Sequence, residues 1–169
     1  MHIRDATPGD ASAVAAIYAH HVLNGTASFD DRPPDTDFWH DKIALVVENG
    51  WPFLVAEEGG KAFGYAYATQ FRDRPAYAHT CENSIYIHPD RVGRGIGRLL
   101  LGELIARAKT AGFRQMIGVI GGAEPASVAL HHALGFSEAG RMKSVGFKFG
   151  RWLDTLYMQR SLVEPGNES

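Results

Sequence analysis

A chain of 169 residues suits one globular domain, and its 45% hydrophobic and 21% charged residues are ordinary for that class. The formal net charge of −2 at pH 7 excludes a general attraction to nucleic acid or to an anionic membrane. The single cysteine, Cys81, has no partner for an internal disulfide, so we expect a reducing compartment and a cytoplasmic protein. No apolar run is long enough to cross a bilayer. We therefore expect no nucleic-acid partner and no membrane partner.

The first half of the chain alternates strand and helix signals. A hydroxyl followed by a proline at Thr7-Pro8 predicts a helix start, and Asn24-Gly25 predicts its end. Thr36 can cap a second helix that runs toward Glu48. Two antiparallel strands follow, because Gly59-Gly60 forms a tight turn between two apolar runs. The predicted elements are strand 2–5, helix 7–24, helix 36–48 and strands 53–57 and 62–70.

The second half repeats strand and helix signals around a glycine-rich loop. The predicted elements are strand 82–87, a helix that ends near residue 111, strand 115–120, helix 126–134, and strands 137–145 and 153–160. Taken with the first half, this order predicts a mixed α/β sheet with helices on both faces. We expect one domain over residues 1–163 and a frayed tail over residues 164–169.

The loop between strand 82–87 and the following helix has the features of an anion site. The first turn of a helix leaves backbone N–H groups unpaired at the positive end of the helix dipole, which suits phosphate oxygens. Glycine lets the ligand approach closely. Arg94 and Arg98 add positive charge, so a pyrophosphate fits better than a single carboxylate. The residues expected to hold it are Gly93, Arg94, Gly95, Ile96, Gly97 and Arg98.

Other interpretations of this loop are possible. A nucleotide-triphosphate loop needs Lys and then Ser or Thr after its last glycine, whereas Arg98 and Leu99 follow here. A dinucleotide fingerprint needs G-x-G-x-x-G after the first strand, whereas this loop spells G-x-G-x-G in mid-chain. A loop that only turns a strand into a helix is the remaining alternative to a binding site.

The segment VGRGIG and its preceding apolar strand resemble the acetyl-coenzyme A loop of the GNAT N-acetyltransferases, with Val92 where that family usually has Gln or Arg. The runs ASFDDRP, ENSIYIHP, ASVALHHALGF and GFKFGRWLD resemble the phosphinothricin and methionine sulfoximine acetyltransferase branch. The resemblance covers nearly the whole chain. It implies the GNAT fold, a central mixed and mostly antiparallel sheet of about seven strands with helices on both faces. It also implies acetyl-coenzyme A as cosubstrate and a homodimer.

Two residues are the candidates for proton transfer. Acetyl transfer to an amine needs a proton acceptor, and Glu82 begins the predicted strand that leads to the glycine loop. In the resembling branch a glutamate at this position is catalytic. His131 takes the position where many GNAT enzymes carry a tyrosine that hydrogen-bonds the departing thiolate. The alternatives are a polar residue at a strand start for Glu82 and a hydrogen-bonded core histidine for His131.

The resemblance also implies further contacts with the cofactor. In GNAT enzymes the pantetheine arm lies beside the central strand like an added strand, so the backbone of Ile85, Tyr86 and Ile87 is expected to bind it. Ser127 and Glu124 lie on the turn before His131, and Glu124 stands where the branch usually has asparagine. Its carboxylate can accept a hydrogen bond but cannot donate one.

The candidate acceptor site is the loop FRDRPAY together with the first long connection. Guanidinium groups bind carboxylates and phosphinates bidentately, so Arg72 and Arg74 are expected to hold such a group on the substrate. Phe29 and Tyr77 are expected to wall the site. The eight histidines form no metal-binding motif, and we expect no metal.

Three functions are consistent with these features. The first is an N-acetyltransferase of small amino-acid-like amines, such as phosphinothricin, methionine sulfoximine or methionine sulfone, acting by direct attack in a ternary complex. The second is an acetyltransferase of the same fold that acts on a protein N-terminus, a lysine or a polyamine. The third is a non-catalytic acetyl-coenzyme A binding module. The presence of Glu82 disfavours the third, and arginines near the acceptor site disfavour cationic polyamines.

Overall fold

The computed structural model describes residues 1–167 and shows a seven-stranded sheet in the order β1-β2-β3-β4-β5-β7-β6. The strands are β1 (His2–Asp5), β2 (Phe53–Glu58), β3 (Lys61–Gln70), β4 (Thr80–Ile87), β5 (Gln115–Gly121), β6 (Ser137–Lys148) and β7 (Arg151–Ser161). The helices are α1 (Ala11–Asn24), α2 (Thr36–Glu48), α3 (Ile96–Thr110) and α4 (Pro125–Ala133). All neighbouring strands are antiparallel except β4 and β5. The predicted fold class, element order and mostly antiparallel sheet are confirmed.

The sheet separates two apolar cores because alternate side chains of each strand point to opposite faces. On β2, Phe53 and Val55 join the core beneath α1 and α2, whereas Leu54 and Ala56 join the core beneath α3. The α3 core is closed by leucines that are fully buried, among them Leu100 and Leu104. Burying one leucine side chain stabilises the fold by about 1.5–3 kcal/mol. Helices on both faces are therefore required to cover the sheet.

The parallel pairing of β4 with β5 is short, and this positions the candidate site. Only Thr80–Asn83 of β4 pair with Gln115–Gly118 of β5. Beyond that point β4 stays paired with β3 as far as Ile87, while β5 stays paired with β7 as far as Gly121. The two strands therefore separate in the middle of the sheet and leave a gap along which they no longer pair with each other.

Several element boundaries differ from the sequence prediction for local reasons. Asp35, not Thr36, caps α2, because its carboxylate accepts the N–H of Phe38 at 2.8 Å. β4 begins two residues before Glu82. β6 and β7 are longer than predicted, since a two-residue turn at Phe149-Gly150, with φ of 52° and 72°, lets pairing continue to its edge. Most of the run GFKFGRW thus lies in strands.

The described part of the tail contacts the body of the molecule. Lys109 Nζ lies 2.8 Å from Glu164, and Arg114 donates to the Asn167 carbonyl at 2.5 Å. Residues 168–169 of the predicted tail lie outside the described residues, and the single domain over 1–163 stays a prediction. Over residues 1–167, none of the helices combines the length and the apolar character that a membrane crossing requires.

Candidate active site

Two connected depressions lie at the gap between β4 and β5. The larger, about 490 Å³, runs from the gap to the glycine loop and is here named the glycine-loop groove. The smaller, about 310 Å³, contains the Glu82 side chain in its wall and is named the Glu82 cavity. The two share four wall residues, which are Ala27, Ile85, Tyr86 and Ser127. A long ligand can therefore extend from the loop into the cavity.

The glycine loop has a backbone that presents donors to this groove. Gly93 and Gly95 have φ of 80° and 75°, in the left-handed region that favours glycine, and open space surrounds the position of a Cβ at each. The turn at Gly95 starts α3, and no side chain within residues 1–167 caps its first turn. The amides of that turn are thus available to phosphate oxygens.

The structure places most predicted cofactor residues in the wall of the glycine-loop groove. Those in the wall are Ile85, Tyr86, Ile87, Gly93, Gly95, Ile96, Gly97, Arg98, Glu124 and Ser127. Arg94 belongs to the same loop but lies outside the wall. The carbonyl of Ile87 accepts a hydrogen bond from His21 Nε2 at 2.8 Å, so it is already paired. This leaves Ile85 and Tyr86 as the predicted backbone contacts nearest the open gap.

Glu124 has a local role that the sequence alone did not predict. Its carboxylate accepts the N–H groups of Ala126 at 3.1 Å and Ser127 at 2.8 Å, so it caps α4. The side chain still lies in the groove wall. Its predicted contact with the cofactor stays a prediction.

Glu82 is half-buried on the third residue of β4. Burial raises the pKa of its carboxyl above the ordinary value, and the positive charges of Arg72 and Lys42 partly oppose this rise. A glutamate with a raised pKa is better matched to proton transfer near neutral pH. The environment of Glu82 is therefore that of a candidate general base.

His131 lies at the opposite side of the gap and is almost completely buried, with 2% of its surface exposed. Its Nδ1–H donates to the Ser127 carbonyl at 2.7 Å, and its Nε2 lies 3.1 Å from Asn83 Oδ1. Two acceptors around the ring favour an imidazolium, whereas burial lowers the pKa of His131 and favours the neutral ring. Gly118 makes room for the ring, because a Cβ there would lie 2.8 Å from His131 Nε2.

Glu82 and His131 belong to opposite faces of the sheet. Cys81 and Asn83 point toward the face that carries α3 and α4, since Cys81 is in the α3 core and Asn83 meets His131. Alternation along the strand therefore directs Glu82 toward the face of α1 and α2. Both residues nevertheless line the Glu82 cavity, because the gap joins the two faces. A reacting group in the gap would have a carboxylate on one side and an imidazole on the other.

The predicted acceptor residues are only partly brought together. Phe29 lies in the wall of the Glu82 cavity, whereas Arg72, Arg74 and Tyr77 lie outside both walls on the exposed 71–79 loop. Arg72 stacks on the ring of Phe71, 4.1 Å from its centroid. The loop joins the end of β3 to the start of β4. Burial raises the pKa of Glu82, the third residue of β4, and the positive charge of Arg72 opposes that rise. The substrate-binding roles of all four residues stay predictions.

Sequence reasoning missed several cavity residues. Tyr18, Ser28, Asp30, Asn83, Ser84 and Thr155 also line the Glu82 cavity. Tyr18 lies on α1, and its hydroxyl donates to Asp30 at 2.5 Å. The polar run around Phe29 was the available signal, because an aromatic residue in a polar connection already marked that segment. Over residues 1–167, no group of three or more His, Cys, Asp or Glu side chains is placed to hold a metal ion.

Comparison with known proteins shows the family of this chain. Residues 3–157 match the family described as "Acetyltransferase (GNAT) domain". A phosphinothricin N-acetyltransferase of Alcaligenes faecalis is 52% identical over 95% of this chain and 82% of its own length. An L-methionine sulfoximine/L-methionine sulfone acetyltransferase of Salmonella typhimurium is 42% identical over 97% of this chain and 96% of its own.

A solved structure has the same fold. The crystal structure of a GNAT superfamily phosphinothricin acetyltransferase from Sinorhizobium meliloti in complex with AcCoA superposes with a TM-score of 0.93. It is 47% identical and covers 99% of this chain and 94% of its own. The chain therefore belongs to the GNAT family of acetyl-CoA-dependent N-acetyltransferases, in the branch of the phosphinothricin and methionine sulfoximine acetyltransferases.

Proposed function

We propose that the protein transfers the acetyl group of acetyl-CoA to the amine of a small amino-acid-like substrate of the phosphinothricin, methionine sulfoximine or methionine sulfone type. The observation that carries this proposal is the gap between β4 and β5, which joins the glycine-loop groove to the cavity that contains Glu82. The relatives named above, which act on amines of this type, are similar over nearly the whole chain.

The proposed reaction is a direct attack in a ternary complex, with Glu82 as general base. An amine enters the cavity largely as an ammonium ion and must lose a proton before it attacks the thioester carbonyl. The Glu82 carboxylate accepts that proton directly or through one water. Its half-buried position and raised pKa support this role. Direct attack needs both substrates bound at once, which the two connected depressions allow.

The departing thiolate needs a proton or a hydrogen bond on the other face of the sheet. We assign this role to the imidazolium form of His131, because Nδ1–H already donates to the Ser127 carbonyl and the role also requires a proton on Nε2, the nitrogen 3.1 Å from Asn83 Oδ1. The negative charge that develops on the thiolate favours this form and opposes the effect of burial on the pKa of His131. A thiolate in the gap would replace the amide oxygen as the partner of that proton. Ile85 and Tyr86 would hold the pantetheine arm through backbone hydrogen bonds, and the first turn of α3 would hold the pyrophosphate.

Within residues 1–167, no lysine or arginine lines the Glu82 cavity to bind the carboxylate or phosphinate group of the substrate. Two acidic residues, Asp30 and Glu82, line the cavity, and they suit the amine of the substrate. Arg72 and Arg74 on the neighbouring loop are our candidates for the anionic group, because bidentate guanidinium contacts suit it.

The proposal is tested by a thiol-release assay with acetyl-CoA and a panel of amines. The panel contains methionine sulfoximine, methionine sulfone, phosphinothricin, unmodified methionine, a peptide with a free N-terminus and a polyamine. We expect the sulfoximine, sulfone or phosphinothricin to have the highest kcat/KM. Preference for the peptide or the polyamine would replace the proposed acceptor class, and absence of turnover with every amine would favour a binding module.

We also propose that the protein is a cytoplasmic homodimer, as the family resemblance implies. The far end of the β6–β7 hairpin supports a subunit contact, because Phe147, Phe149 and Trp152 are 62%, 57% and 67% exposed. Light scattering coupled to size exclusion measures the mass directly, and a mass of one chain at micromolar concentration would contradict the dimer.

A further inference from the structure

The connection between α1 and α2 forms part of both depressions. Its first part, residues 25–31, is named here the 25–31 loop. On one side Gly25, Thr26 and Ala27 line the glycine-loop groove. On the other side Ala27, Ser28, Phe29 and Asp30 line the Glu82 cavity. A displacement of this loop would therefore alter the walls of both sites together.

The loop is packed tightly against the ends of β5 and β6. A Cβ on Gly121 would lie 2.8 Å from the carbonyl oxygen of Ala27, which is closer than real contacts allow. A Cβ on Gly146 would overlap the ring of Phe29. Glycine at these two strand positions is therefore what lets the loop backbone and the Phe29 ring sit directly against the sheet.

A closed set of hydrogen bonds fixes the middle of the loop to α1. The Tyr18 hydroxyl donates to Asp30 at 2.5 Å and lies 2.8 Å from the Ser28 hydroxyl. The N–H of Asp30 donates back to Ser28 Oγ at 3.2 Å. Ser28 is 4% exposed, so its hydroxyl is satisfied inside the protein, whereas Asp30 is exposed.

Lys148, the last residue of β6, holds the loop from the opposite side. Its ammonium donates to the carbonyl of Gly25 at 2.8 Å and to the carbonyl of Ser28 at 2.6 Å. These two carbonyls lie on the two halves of the loop, one beside each depression. Burial lowers the pKa of Lys148, and the carboxylates of Asp30 and Asp31 oppose that change.

We propose that Lys148 is a positioning residue for acetyl transfer, because its ammonium pins the 25–31 loop and thereby sets the shape of both the glycine-loop groove and the Glu82 cavity. A hydrogen bond from a charged donor contributes more than a neutral one, and two of them converge on a segment without secondary structure. The acceptor part of this inference rests on the proposed function. The residue touches neither substrate in this scheme and acts through the loop.

The test compares Lys148→Met with Lys148→Arg and with Lys143→Met. Methionine keeps the length of the side chain but removes the donors, arginine restores donors, and Lys143 is an exposed lysine of the same strand. For Lys148→Met we expect the acceptor KM to rise about ten-fold, equivalent to about 1.4 kcal/mol. We expect the calorimetric Kd of coenzyme A to rise about three-fold, since the glycine loop still binds the pyrophosphate. Lys148→Arg should recover part of both losses, and Lys143→Met should change neither.

A second variant tests the wall of the Glu82 cavity separately from the wall of the glycine-loop groove, and a melting temperature distinguishes a folding defect from a loss of positioning. In Gly146→Ala the three atoms nearest to the new Cβ belong to the Phe29 ring, which lines the Glu82 cavity and not the glycine-loop groove, so we expect a raised acceptor KM with an unchanged Kd for coenzyme A. A lowered melting temperature with both constants unchanged in Lys148→Met would overturn the positioning role. The coenzyme A measurement needs no acceptor. If the wild type acetylated none of the offered amines, the proposed acceptor class would be wrong. A three-fold loss of coenzyme A affinity in Lys148→Met would still support the positioning role of Lys148.

Discussion

The proton-accepting role of Glu82 depends on two opposing effects on the pKa of its carboxyl. Burial destabilises the carboxylate and raises its pKa, whereas Arg72 and Lys42 stabilise the charged form. Burial is the larger effect. A fully solvated glutamate would be a weaker base near neutral pH, and a deeply buried one would stay protonated.

The raised pKa of Glu82 predicts the pH dependence of the reaction. Only the deprotonated carboxylate can accept a proton, so kcat/KM for the acceptor should fall as pH falls through the pKa of Glu82. The acid limb should lie above about 4.3, the ordinary value of a glutamate. A pH–rate profile from thiol release measures it. An acid limb that persists in Glu82→Gln would assign it to another group.

Arg74 is a proposed substrate-binding residue that lies outside both cavity walls. We expect Arg74→Ala to raise the KM of a carboxylate-bearing acceptor at least ten-fold, because a bidentate contact of about 1.5–3 kcal/mol is lost. The KM of acetyl-CoA should stay within two-fold. Steady-state kinetics with both substrates varied gives both constants. Arg114→Ala is the matched control, because Arg114 is an exposed arginine just before β5 that lies outside both cavity walls. An unchanged acceptor KM would make Arg74 an ordinary surface charge.

Individual site residues could be predicted from the sequence where their immediate neighbours in the chain mark them out. Glu82 beside an apolar strand and Phe29 in a polar connection could both be found. Tyr18 and Asp30 could not, because their meeting depends on how the 25–31 loop folds back on α1. Asn83 was hidden for a similar reason, since its partner His131 is 48 residues away.

The turn from β4 into α3 shows how an element creates a binding surface. Gly95 in the left-handed region ends the loop and lets the first turn of α3 face the glycine-loop groove. Gly97 allows α3 to approach α4, because a Cβ there would lie 3.3 Å from Leu130. The two glycines therefore have different roles: Gly95 adopts the left-handed turn, and Gly97 permits close packing of α3 against α4.

Gly95→Ala tests the conformation of this turn. Alanine in the left-handed region costs roughly 1–2 kcal/mol. The turn should relax by shifting its amides, so we expect the affinity for coenzyme A to fall about ten-fold, or about 1.4 kcal/mol. Calorimetric titration measures the change. Gly102→Ala, inside the same helix with open space at its Cβ, should leave affinity unchanged and add about 0.5–1 kcal/mol of stability. Equal affinities for the two variants would contradict a role for the turn.

Element order was predictable from the sequence, but the gap in the sheet was not. Apolar periodicity and turn residues predict β4 and β5 individually. Their separation after Asn83 and Gly118 depends on the competing pairings with β3 and β7. Periodicity does not encode where such pairing stops. The same limitation explains why the β6–β7 hairpin was predicted too short.

At the scale of the whole molecule, the two cores hold the gap open. The α1 and α2 core supports the strands on one face, and the α3 core supports them on the other. β4 receives packing from both faces, so its position relative to β5 is set by the complete fold. Damage to either core should reduce global stability before it changes the chemistry.

Leu104→Ala tests the contribution of the α3 core. Leu104 is fully buried, and truncating such a leucine typically costs about 2–5 kcal/mol. Leu99→Ala on the same helix is the matched control, because Leu99 is 54% exposed and should change stability by about 0.5 kcal/mol or less. Urea unfolding of both variants compares the free energies of unfolding. Equal losses would contradict the burial assigned to the two positions.

The central claim is that the whole fold delivers an acceptor amine to the Glu82 carboxylate beside the bound thioester. Its most direct test measures N-acetyl product from methionine sulfoximine at neutral pH for the wild type and Glu82→Gln, together with the coenzyme A affinity of both. Removal of a general base typically slows turnover by about 10²–10⁴-fold. We predict a loss of that size in Glu82→Gln with unchanged affinity. Equal turnover in the two proteins would contradict the account.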